Sequence, residues 1–242
     1  MRAREQYLQA LGVDVWVPRV SAGAPARRVE TPVTPETPET PEIASVATAQ
    51  SPEVAARWDV LQAQVRECTL CSLCQTRTQT VFGVGPRRAE LMVIGEAPGQ
   101  DEDEQGEPFV GRAGQLLNSM LKALGHPRER VFIANILKCR PPNNRNPNPN
   151  EVASCMPYLQ QQIDLIQPRM ILAVGGIAAQ NLLATDVSVG RLRGLVHRFG
   201  TAATPLIVTY HPAYLLRSPG EKRKVWTDLK FARAELARAR GN

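Results

Sequence analysis

The sequence contains no long hydrophobic run and no export-like N-terminus. None of its apolar stretches approaches the roughly 20 residues that a helix needs to cross a bilayer, which argues against an integral membrane protein. The first residues hold charges and prolines where a secretion signal would have an apolar stretch and a small-residue cleavage site. At 242 residues the chain can bury one sizeable core, and we expect a cytoplasmic protein.

Cysteine is scarce, and its number is odd. Five cysteines in a chain without an export signal argue against a disulfide framework and favour metal ligation. Cys68 and Cys71 form a CxxC pair, Cys74 extends the run, and Cys139 and Cys155 lie far downstream. Thiolate ligation fits either zinc or an iron–sulfur cluster, and spacing alone allows Cys71 or Cys74 as the second ligand. Taken singly, Cys139 and Cys155 are equally compatible with small buried residues.

The net charge of +6 is unevenly distributed along the chain. Residues 1–57 carry six arginines and seven acidic residues, so the remainder has a charge of +7. From Arg217 to the end, eight basic residues face three acidic ones. A basic domain suits a polyanionic partner, because Lys and Arg contacts to phosphates release counterions. A solvated basic helix face explains the charge equally well.

Composition divides the chain into three parts. Residues 31–42 repeat proline at every third position, which predicts an extended spacer, because proline fixes φ and lacks an N–H. We expect a short partner-binding peptide over residues 1–19, a disordered Pro/Thr/Glu-rich linker over 20–52 and a folded domain over 53–242. The apolar residues within 4–18 also fit an arm that packs back on its own domain.

Short apolar runs alternate with helical periodicity in the folded part. Recurring leucines predict a helix that stops at Gly125, and Asn150 is suited to cap a further helix that Pro157 would kink or restart. The predicted elements are strands over 91–94, 131–137, 170–174 and 206–209 and helices over 112–124, 150–166 and 176–183. Buried strands that alternate with helices indicate an α/β fold with a parallel sheet covered on both faces.

Ligands of such folds bind beyond the carboxyl ends of the strands. Glu96, Asn135 and His211 stand at or just after three of the predicted strand ends. Each candidate also has an ordinary explanation: Asn135 as a backbone cap, His211 as a satisfied core or surface residue, Phe109 as core. The acidic run over residues 101–104 would ordinarily be a solvated loop. Their common position at one edge of the sheet makes them candidates for chemistry.

Several motifs in the folded part carry a family resemblance. Residues 95–103 read GEAPGQDED, 106–117 read GEPFVGRAGQLL, 135–142 read NILKCRPP and 211–216 read HPAYLL. From about residue 57 to 237 the chain closely resembles the type 4, iron–sulfur branch of the uracil-DNA glycosylases. The resemblance implies a three-layer α/β/α sandwich with a mostly parallel four-stranded sheet. It also implies a monofunctional enzyme that flips uracil out of DNA and hydrolyses its N-glycosidic bond.

The same resemblance implies roles for the residues at the strand ends. Phe109 would stack on the extruded uracil, and the amide of Asn135 would donate to O4 and accept from N3–H. His211 would donate to the negative charge that develops on uracil O2. Glu96 and Glu102 would stabilise the cationic sugar and orient the attacking water, and the sequence does not rank these two.

Three further assignments follow from the resemblance. It assigns a [4Fe–4S] cluster to Cys68, Cys71, Cys139 and Cys155 and leaves Cys74 unused. Ala97 would leave space beside the 5-position of the base, which predicts weak exclusion of thymine. DNA contacts are implied for Tyr214, Leu215, Leu216 and Arg217, with one of the two leucines filling the gap left by the flipped nucleotide.

Two alternatives and one partner complete the expectations. A related branch that crosslinks to its product carries a histidine-containing insert after the second strand, and the loop over 140–149 has no histidine, so we reject that branch. A non-catalytic iron–sulfur DNA-binding sensor, tethered to the replisome, is the alternative function; an intact uracil pocket disfavours it.

Residues 7–16 resemble the N-terminal peptide of the clamp-loader psi subunit, which suggests a clamp-loader partner. We expect a monomer.

Overall fold

A five-stranded sheet forms the centre of the domain in a computed structural model, which describes residues 51–241. The strands are β1 (Leu91–Gly95), β2 (Phe132–Asn135), β3 (Met170–Val174), β4 (His197–Phe199) and β5 (Thr204–Thr209). Their order is β2-β1-β3-β5-β4, and only β4, at the edge, is antiparallel to its neighbour. The predicted mostly parallel sheet is confirmed, and β4 makes its strand number five where the resemblance implies four.

Helices cover both faces of this sheet. They are α1 (Pro52–Arg66), α2 (Gln100–Gln105), α3 (Arg112–Leu124), α4 (Pro149–Ile166), α5 (Gly176–Leu183), α6 (Val189–Leu192), α7 (Pro212–Arg217) and α8 (Lys222–Gly241). Helices α1, α4 and α5 pack in one core, and α3, α7 and α8 pack in the other. Successive strand residues such as Met92 and Val93 enter opposite cores, as the pleat requires. The three-layer α/β/α sandwich predicted from the sequence is therefore confirmed.

The helix that precedes β2 matches its prediction. Helix α3 spans the predicted residues and ends at Gly125, which takes the left-handed conformation at φ 85°. Its leucines Leu117 and Leu121 are fully buried. Glycine suits this cap because it adopts positive φ without steric strain.

The helix that follows β2 begins earlier than the sequence predicts. Asn148 is its N-cap, so the expected cap at Asn150 is wrong. The carboxylate of Glu151 accepts the Asn148 N–H at 2.8 Å, and Pro149 occupies the first helical position, where a missing N–H costs nothing. Helix α4 runs through Pro157 without a break, because its buried face is fixed against the core.

The acidic run over residues 101–104 is helical and forms most of α2, so the expected solvated loop is wrong. Asp103 is 2% exposed, and both of its carboxylate oxygens accept the Thr78 N–H at 3.0 Å. A buried carboxylate with a backbone donor ties α2 to the segment before β1.

Helix α1, which the sequence did not identify, opens the described part of the chain. Ser51 caps it, and Trp58 packs edge-on against Phe82 and Phe132 with ring centroids 5.4 Å apart in each pair. The predictions for the N-terminal peptide and for the linker as far as residue 50 lie outside the described residues. Between residues 51 and 241, no helix combines the length and hydrophobicity needed to cross a membrane.

Candidate active site

A cavity of about 420 Å³ opens where β1, β2 and β5 reach their carboxyl ends. It brings together most of the predicted site residues, namely Glu96, Ala97, Glu102, Phe109, Asn135, His211, Tyr214 and Arg217. The amide, the ring and the imidazole that the sequence singled out therefore share one hollow. Pro141 and residues 144–146 of the loop after β2 close another side of it.

Asn135 is the last residue of β2 and pairs in register with Gly95 of β1. It is 2% exposed, and its Oδ1 has no hydrogen-bond partner among residues 51–241. A Cβ on Gly95 would lie 2.4 Å from this oxygen and 2.6 Å from Cζ of Phe109, so only glycine allows the amide and the ring to approach each other. A buried oxygen without a partner is unfavourable, and at a pocket wall it is a ready acceptor for a ligand N–H.

A buried lysine supports Asn135 from behind. Lys138 is 1% exposed, and its Nζ donates to the Asn135 carbonyl oxygen at 3.0 Å and to Gln162 Oε1 at 2.7 Å. Gln162 in turn donates to the Phe82 carbonyl at 2.9 Å. Burial lowers the pKa of Lys138 to about 8, while the sulfurs of Cys155 and Cys139 oppose that shift. The strand end that carries the amide is thus fixed by polar contacts with α4.

Phe109 enters the pocket from a loop in a left-handed backbone conformation, with φ at 55°. Positive φ is unfavourable for a bulky residue and persists only where the surroundings hold it. The ring is buried, and its centroid lies 5.6 Å from that of the His211 imidazole. Phe109 therefore forms one wall of the pocket, and its buried ring also belongs to the core beneath α3 and α7.

The two candidate acids have different surroundings. Glu102 Oε1 accepts the N–H groups of Val110 and Gly111 at 2.9 and 3.2 Å, and Oε2 accepts the Gly99 N–H at 3.0 Å. Its carboxylate therefore fixes the loops on either side of α2. Glu96 follows β1 and lines the pocket half-buried, and this burial raises the pKa of its carboxyl group.

His211 faces the pocket as a neutral imidazole. It caps α7, and its Nδ1 accepts the Ala213 N–H at 3.1 Å, which leaves the proton on Nε2. Burial lowers the pKa of His211 to about 4, and the charge of Arg217 adds to this while the Glu102 carboxylate opposes it. A neutral imidazole with a free N–H can donate to an oxygen in the cavity without presenting a full charge.

An ion pair between distant parts of the chain supports the strand that precedes His211. Asp228 of α8 is 2% exposed and accepts from the Thr209 hydroxyl at 2.6 Å and from Arg193 at 2.7 and 2.8 Å. Arg193 also lies over the Tyr210 ring, 4.6 Å from its centroid. Sequence reasoning missed this network; its only signal is an acid among the apolar positions of a basic helix.

The loop after β2 is also fixed by a pair that the sequence analysis did not single out. Arg145 donates to both carboxylate oxygens of the buried Glu151, at 2.9 and 2.6 Å. Its guanidinium lowers the pKa of Glu151. The Asn148-x-x-Glu151 spacing at the start of α4 was the available signal, because it is typical of a helix N-terminus.

Comparisons with known proteins agree with this geometry. The sequence pattern of the uracil DNA glycosylase superfamily matches residues 82–230. A type-4 uracil-DNA glycosylase of Archaeoglobus fulgidus is 44% identical over 179 residues, which cover 71% of this chain and 89% of the relative. One of Thermotoga maritima is 40% identical over 179 residues, covering 73% and 93%. A type-5 uracil-DNA glycosylase of Pyrobaculum aerophilum is 31% identical over 149 residues, covering 54% and 64%.

The chain belongs to the type-4 uracil-DNA glycosylase family. In this type-4 glycosylase, the two leucines of α7 have different environments. Leu215 is 1% exposed and packs in the core beneath α7, whereas Leu216 is 39% exposed beside Tyr214. The burial of Leu215 disfavours it as a DNA contact in this conformation, and the DNA contacts of α7 stay a prediction. Leu216 remains the candidate for the gap left by a flipped nucleotide.

The glycosylase's cysteines lie beside the strand end that carries Asn135. Cys139 and Cys155 are buried, and Cys68, Cys71 and Cys74 are partly exposed. Arg77 Nη1 donates to Cys139 Sγ at 3.1 Å, and the backbone N–H of Lys138 donates to Cys155 Sγ at 3.3 Å. Donors of this kind stabilise negative charge on sulfur.

Neighbouring thiols contribute to the raised pKa values of the two buried cysteines, Cys139 and Cys155. Burial raises the pKa of Cys139 to about 11; Arg77 opposes this, and Cys155 and Cys71 add to it. Burial likewise raises the pKa of Cys155, and among the other thiols Cys71 and Cys68 contribute. Cys74 is not among these influences on Cys139 and Cys155, although its charge contributes, with those of Cys139 and Cys68, to raising the pKa of Arg77. In the range 51–241, no three His, Cys, Asp or Glu side chains are close enough together to hold a metal ion.

Proposed function

We propose that this protein releases uracil from DNA by hydrolysing its N-glycosidic bond, and leaves an abasic site without cutting the strand. The relatives that share most of its length are named type-4 uracil-DNA glycosylases. The structural observation that carries the proposal is the buried Oδ1 of Asn135. It lies in a pocket walled by Phe109 and His211, and the described part of the chain offers it no hydrogen-bond partner.

Recognition depends on complementarity between the pocket and an everted pyrimidine. A base inside a duplex is out of reach, so the enzyme flips it into the cavity, where the Phe109 ring stacks on it. Asn135 Oδ1 accepts from uracil N3–H, and the amide nitrogen donates to O4. Cytosine has no proton on N3 and an amino group at position 4, so both contacts fail. A mispaired buried amide costs about 1–3 kcal/mol, which favours uracil by roughly 5- to 150-fold for each contact.

Cleavage moves an electron pair from the sugar–base bond onto the base. The bond between C1′ and N1 breaks, and His211 Nε2–H donates to the negative charge that develops on O2. The Glu96 carboxylate stabilises the positive charge on the sugar and orients the water whose oxygen joins C1′. Water gives up one proton, and the uracil anion takes up another, so charge and atoms balance.

The composition of the pocket supports hydrolysis without strand cleavage. Strand cleavage by a lyase step requires an amine that attacks C1′. Within the described part of the chain, the residues that line this cavity include no lysine. Lys138 lies behind Asn135 with its Nζ engaged by two acceptors. DNA contacts are proposed for Tyr214, Leu216 and Arg217 on the rim.

The cysteines fit an iron–sulfur cofactor. We propose that a [4Fe–4S] cluster is held by Cys68, Cys71, Cys139 and Cys155. The neighbouring thiols contribute to the raised pKa of Cys139 and of Cys155, and these two sulfurs accept donors that favour thiolates. The lack of a single-ion site is compatible with this proposal, since the thiolates of such a cluster bind different irons. When bound, the cluster would brace the loop between Cys139 and Cys155, and glycoside hydrolysis transfers no net electrons.

Colour and iron content test the cofactor. We expect brown protein that contains iron and inorganic sulfide. Cys155→Ala should lose both, whereas Cys74→Ala, a matched substitution outside the proposed ligands, should keep them. Colourless wild-type protein that contains zinc would contradict the assignment.

Uracil release tests the function. A labelled oligonucleotide with a single uracil is incubated with the full-length protein and then heated in alkali, which cuts only abasic sites. We expect cleavage after alkali and none before it, with no cut at cytosine; thymine and hypoxanthine substrates define the selectivity allowed by Ala97. An uncut uracil strand would favour the non-catalytic sensor.

The N-terminal segment carries a separate proposal. We infer that residues 1–19 bind a partner, with the clamp loader as the candidate, that residues 20–52 link this peptide to the catalytic domain over 53–242, and that the enzyme is a monomer. Capture of clamp-loader protein by peptide 1–20, but not by the same peptide with Trp16→Ala, is the expected result. Equal capture by both peptides would refute it.

A further inference from the structure

The peptide group between Phe109 and Val110 is held at both ends by opposite charges. Its N–H donates to Glu102 Oε1 at 2.9 Å, and its carbonyl oxygen accepts from Arg128 Nη1 at 3.2 Å. Arg128 Nη2 also donates to the carbonyl oxygen of Pro108 at 2.7 Å. The two side chains therefore act on one peptide plane from opposite directions, and each favours the orientation that the other imposes.

This peptide plane sets the direction of the Phe109 ring. Phe109 has a φ of 55°, which a bulky residue adopts only under constraint. Its carbonyl oxygen also lies against the start of α3, where a Cβ on Gly114 would lie 1.8 Å from it. Without charged partners at both ends of this peptide, Phe109 would relax towards negative φ, and its ring would leave its place beside His211.

The Arg128 side chain is largely buried in this position and does not extend over the surface. Its side chain is 19% exposed, it also donates to Asn118 Oδ1 at 3.3 Å, and the Glu107 carboxylate lies 4.0 Å away. Arg128 has the planar fork that can serve two neighbouring carbonyl oxygens at once, which a lysine cannot reproduce. It is absent from the residues that line the cavity.

We propose that Arg128 is a positioning residue for base recognition, which acts on uracil through the Phe109 backbone and without touching the base. The proposal rests on the function proposed above. It predicts that the effect of removing Arg128 depends on the presence of the Phe109 ring. A phosphate contact or a general loss of stability would not depend on that ring.

A double-mutant cycle on the full-length protein separates these possibilities. Single-turnover uracil release is measured for wild type, Arg128→Met, Phe109→Ala and the double variant. We expect Arg128→Met to slow release by about 10- to 100-fold, the value of one or two charged hydrogen bonds. In the Phe109→Ala background the same substitution should change the rate by less than about threefold, because residues that act as a unit are not additive.

Two further variants complete the design. Arg130→Met removes the same charge from the same short turn, where Arg130 is exposed, and should release uracil at the wild-type rate. Arg128→Lys keeps the charge but offers only a point donor, so it should restore part of the rate. If Arg128→Met does not fold at the assay temperature, the cycle is run with Arg128→Lys.

The outcomes distinguish this inference from the proposed function. No uracil release by the wild type would overturn the proposed function itself. Wild-type release, with losses that multiply in the double variant, would overturn only the positioning role. Wild-type rates in Arg128→Met would do the same.

Discussion

Asn135 and Phe109 reach the same pocket from two kinds of backbone. Asn135 ends a strand whose register with β1 fixes it through sheet hydrogen bonds. Phe109 stands on a loop at positive φ, and the side chains of Glu102 and Arg128 fix that loop. The strand end is therefore held by the fold as a whole, whereas the loop depends on two individual side chains. The proposed recognition of the base would therefore be robust at the Asn135 wall of the pocket and vulnerable at the Phe109 wall.

The largest effect is expected at the end of β2, where one substitution should reduce activity without reducing stability. Asn135→Leu removes an amide whose buried oxygen has no partner within the described residues, so the free energy of unfolding should stay the same or rise. Uracil release should fall by about 100-fold or more, because the contacts to N3–H and O4 are lost. Denaturant unfolding and the alkali assay measure the two quantities.

Asn135→Asp tests more specifically whether Asn135 distinguishes uracil from cytosine. It keeps the shape of the amide but changes its donor pattern, so discrimination between uracil and cytosine should weaken. Unchanged uracil release by either variant would contradict the reading role of Asn135.

The next largest effect is expected in the loop that carries Phe109, which the Glu102 carboxylate fixes. Glu102→Gln places an NH₂ group against backbone donors and weakens three bonds, so it should lower the free energy of unfolding by about 1.5–3 kcal/mol and slow uracil release. Glu96→Gln is the matched substitution on the pocket wall and should slow release with little loss of stability. Equal losses of stability in the two variants would refute this division of roles.

The pH dependence gives a smaller effect, with a definite sign. The folded-state pKa of His211 is about 4, below its ordinary value of 6.5. Between these two pH values, His211 is protonated in the unfolded chain but neutral in the folded protein. The free energy of unfolding therefore falls as pH falls from 6.5 to about 4. His211→Gln should lack this part of the pH dependence.

Activity in the same pH window should follow a different group. The imidazole remains neutral there, so the acid limb of kcat/KM should come from protonation of Glu96, whose pKa is raised by burial. Glu96→Gln should flatten that limb, whereas His211→Gln should lower the rate and retain it. An acid limb that disappears only in His211→Gln would reverse the assignment.

The smallest expected effect concerns the two neighbouring leucines of α7. Leu216→Ala should change the free energy of unfolding by no more than about 0.5 kcal/mol, because Leu216 is exposed, yet slow release from duplex DNA several-fold more than from single strands. Leu215→Ala empties a buried site and should cost about 2–5 kcal/mol of stability. A duplex defect confined to Leu215→Ala would exclude Leu216 as the wedge.

The parts predicted from the sequence are those that local pattern determines. Apolar runs located the central strands, and the residues at their ends, Asn135 and His211, proved to share a cavity. Leucine spacing and Gly125 fixed both bounds of α3. Such features depend on neighbours within one or two turns of chain, so they are legible in a single sequence.

The parts that were missed depend on contacts between distant residues. Arg128 contacts Phe109, which lies 19 positions away in the sequence, and Asp228 contacts Arg193, which lies 35 positions away. No periodicity in the sequence predicts either pair. Leu215 and Leu216 are identical in type, and only the rotation of about 100° per helical residue separates core from solvent. Strand β4 has three residues with no apolar run, so it gave no strand pattern.

The ends of the catalytic domain lie on the side of the sheet away from the pocket. Val54 and Arg57 of α1 border a depression with Glu90 and Arg169, which precede β1 and β3. Arg240, close to the end of α8, donates to the same Glu90. The two ends of the described domain therefore lie at the amino ends of the strands, opposite the cavity at their carboxyl ends.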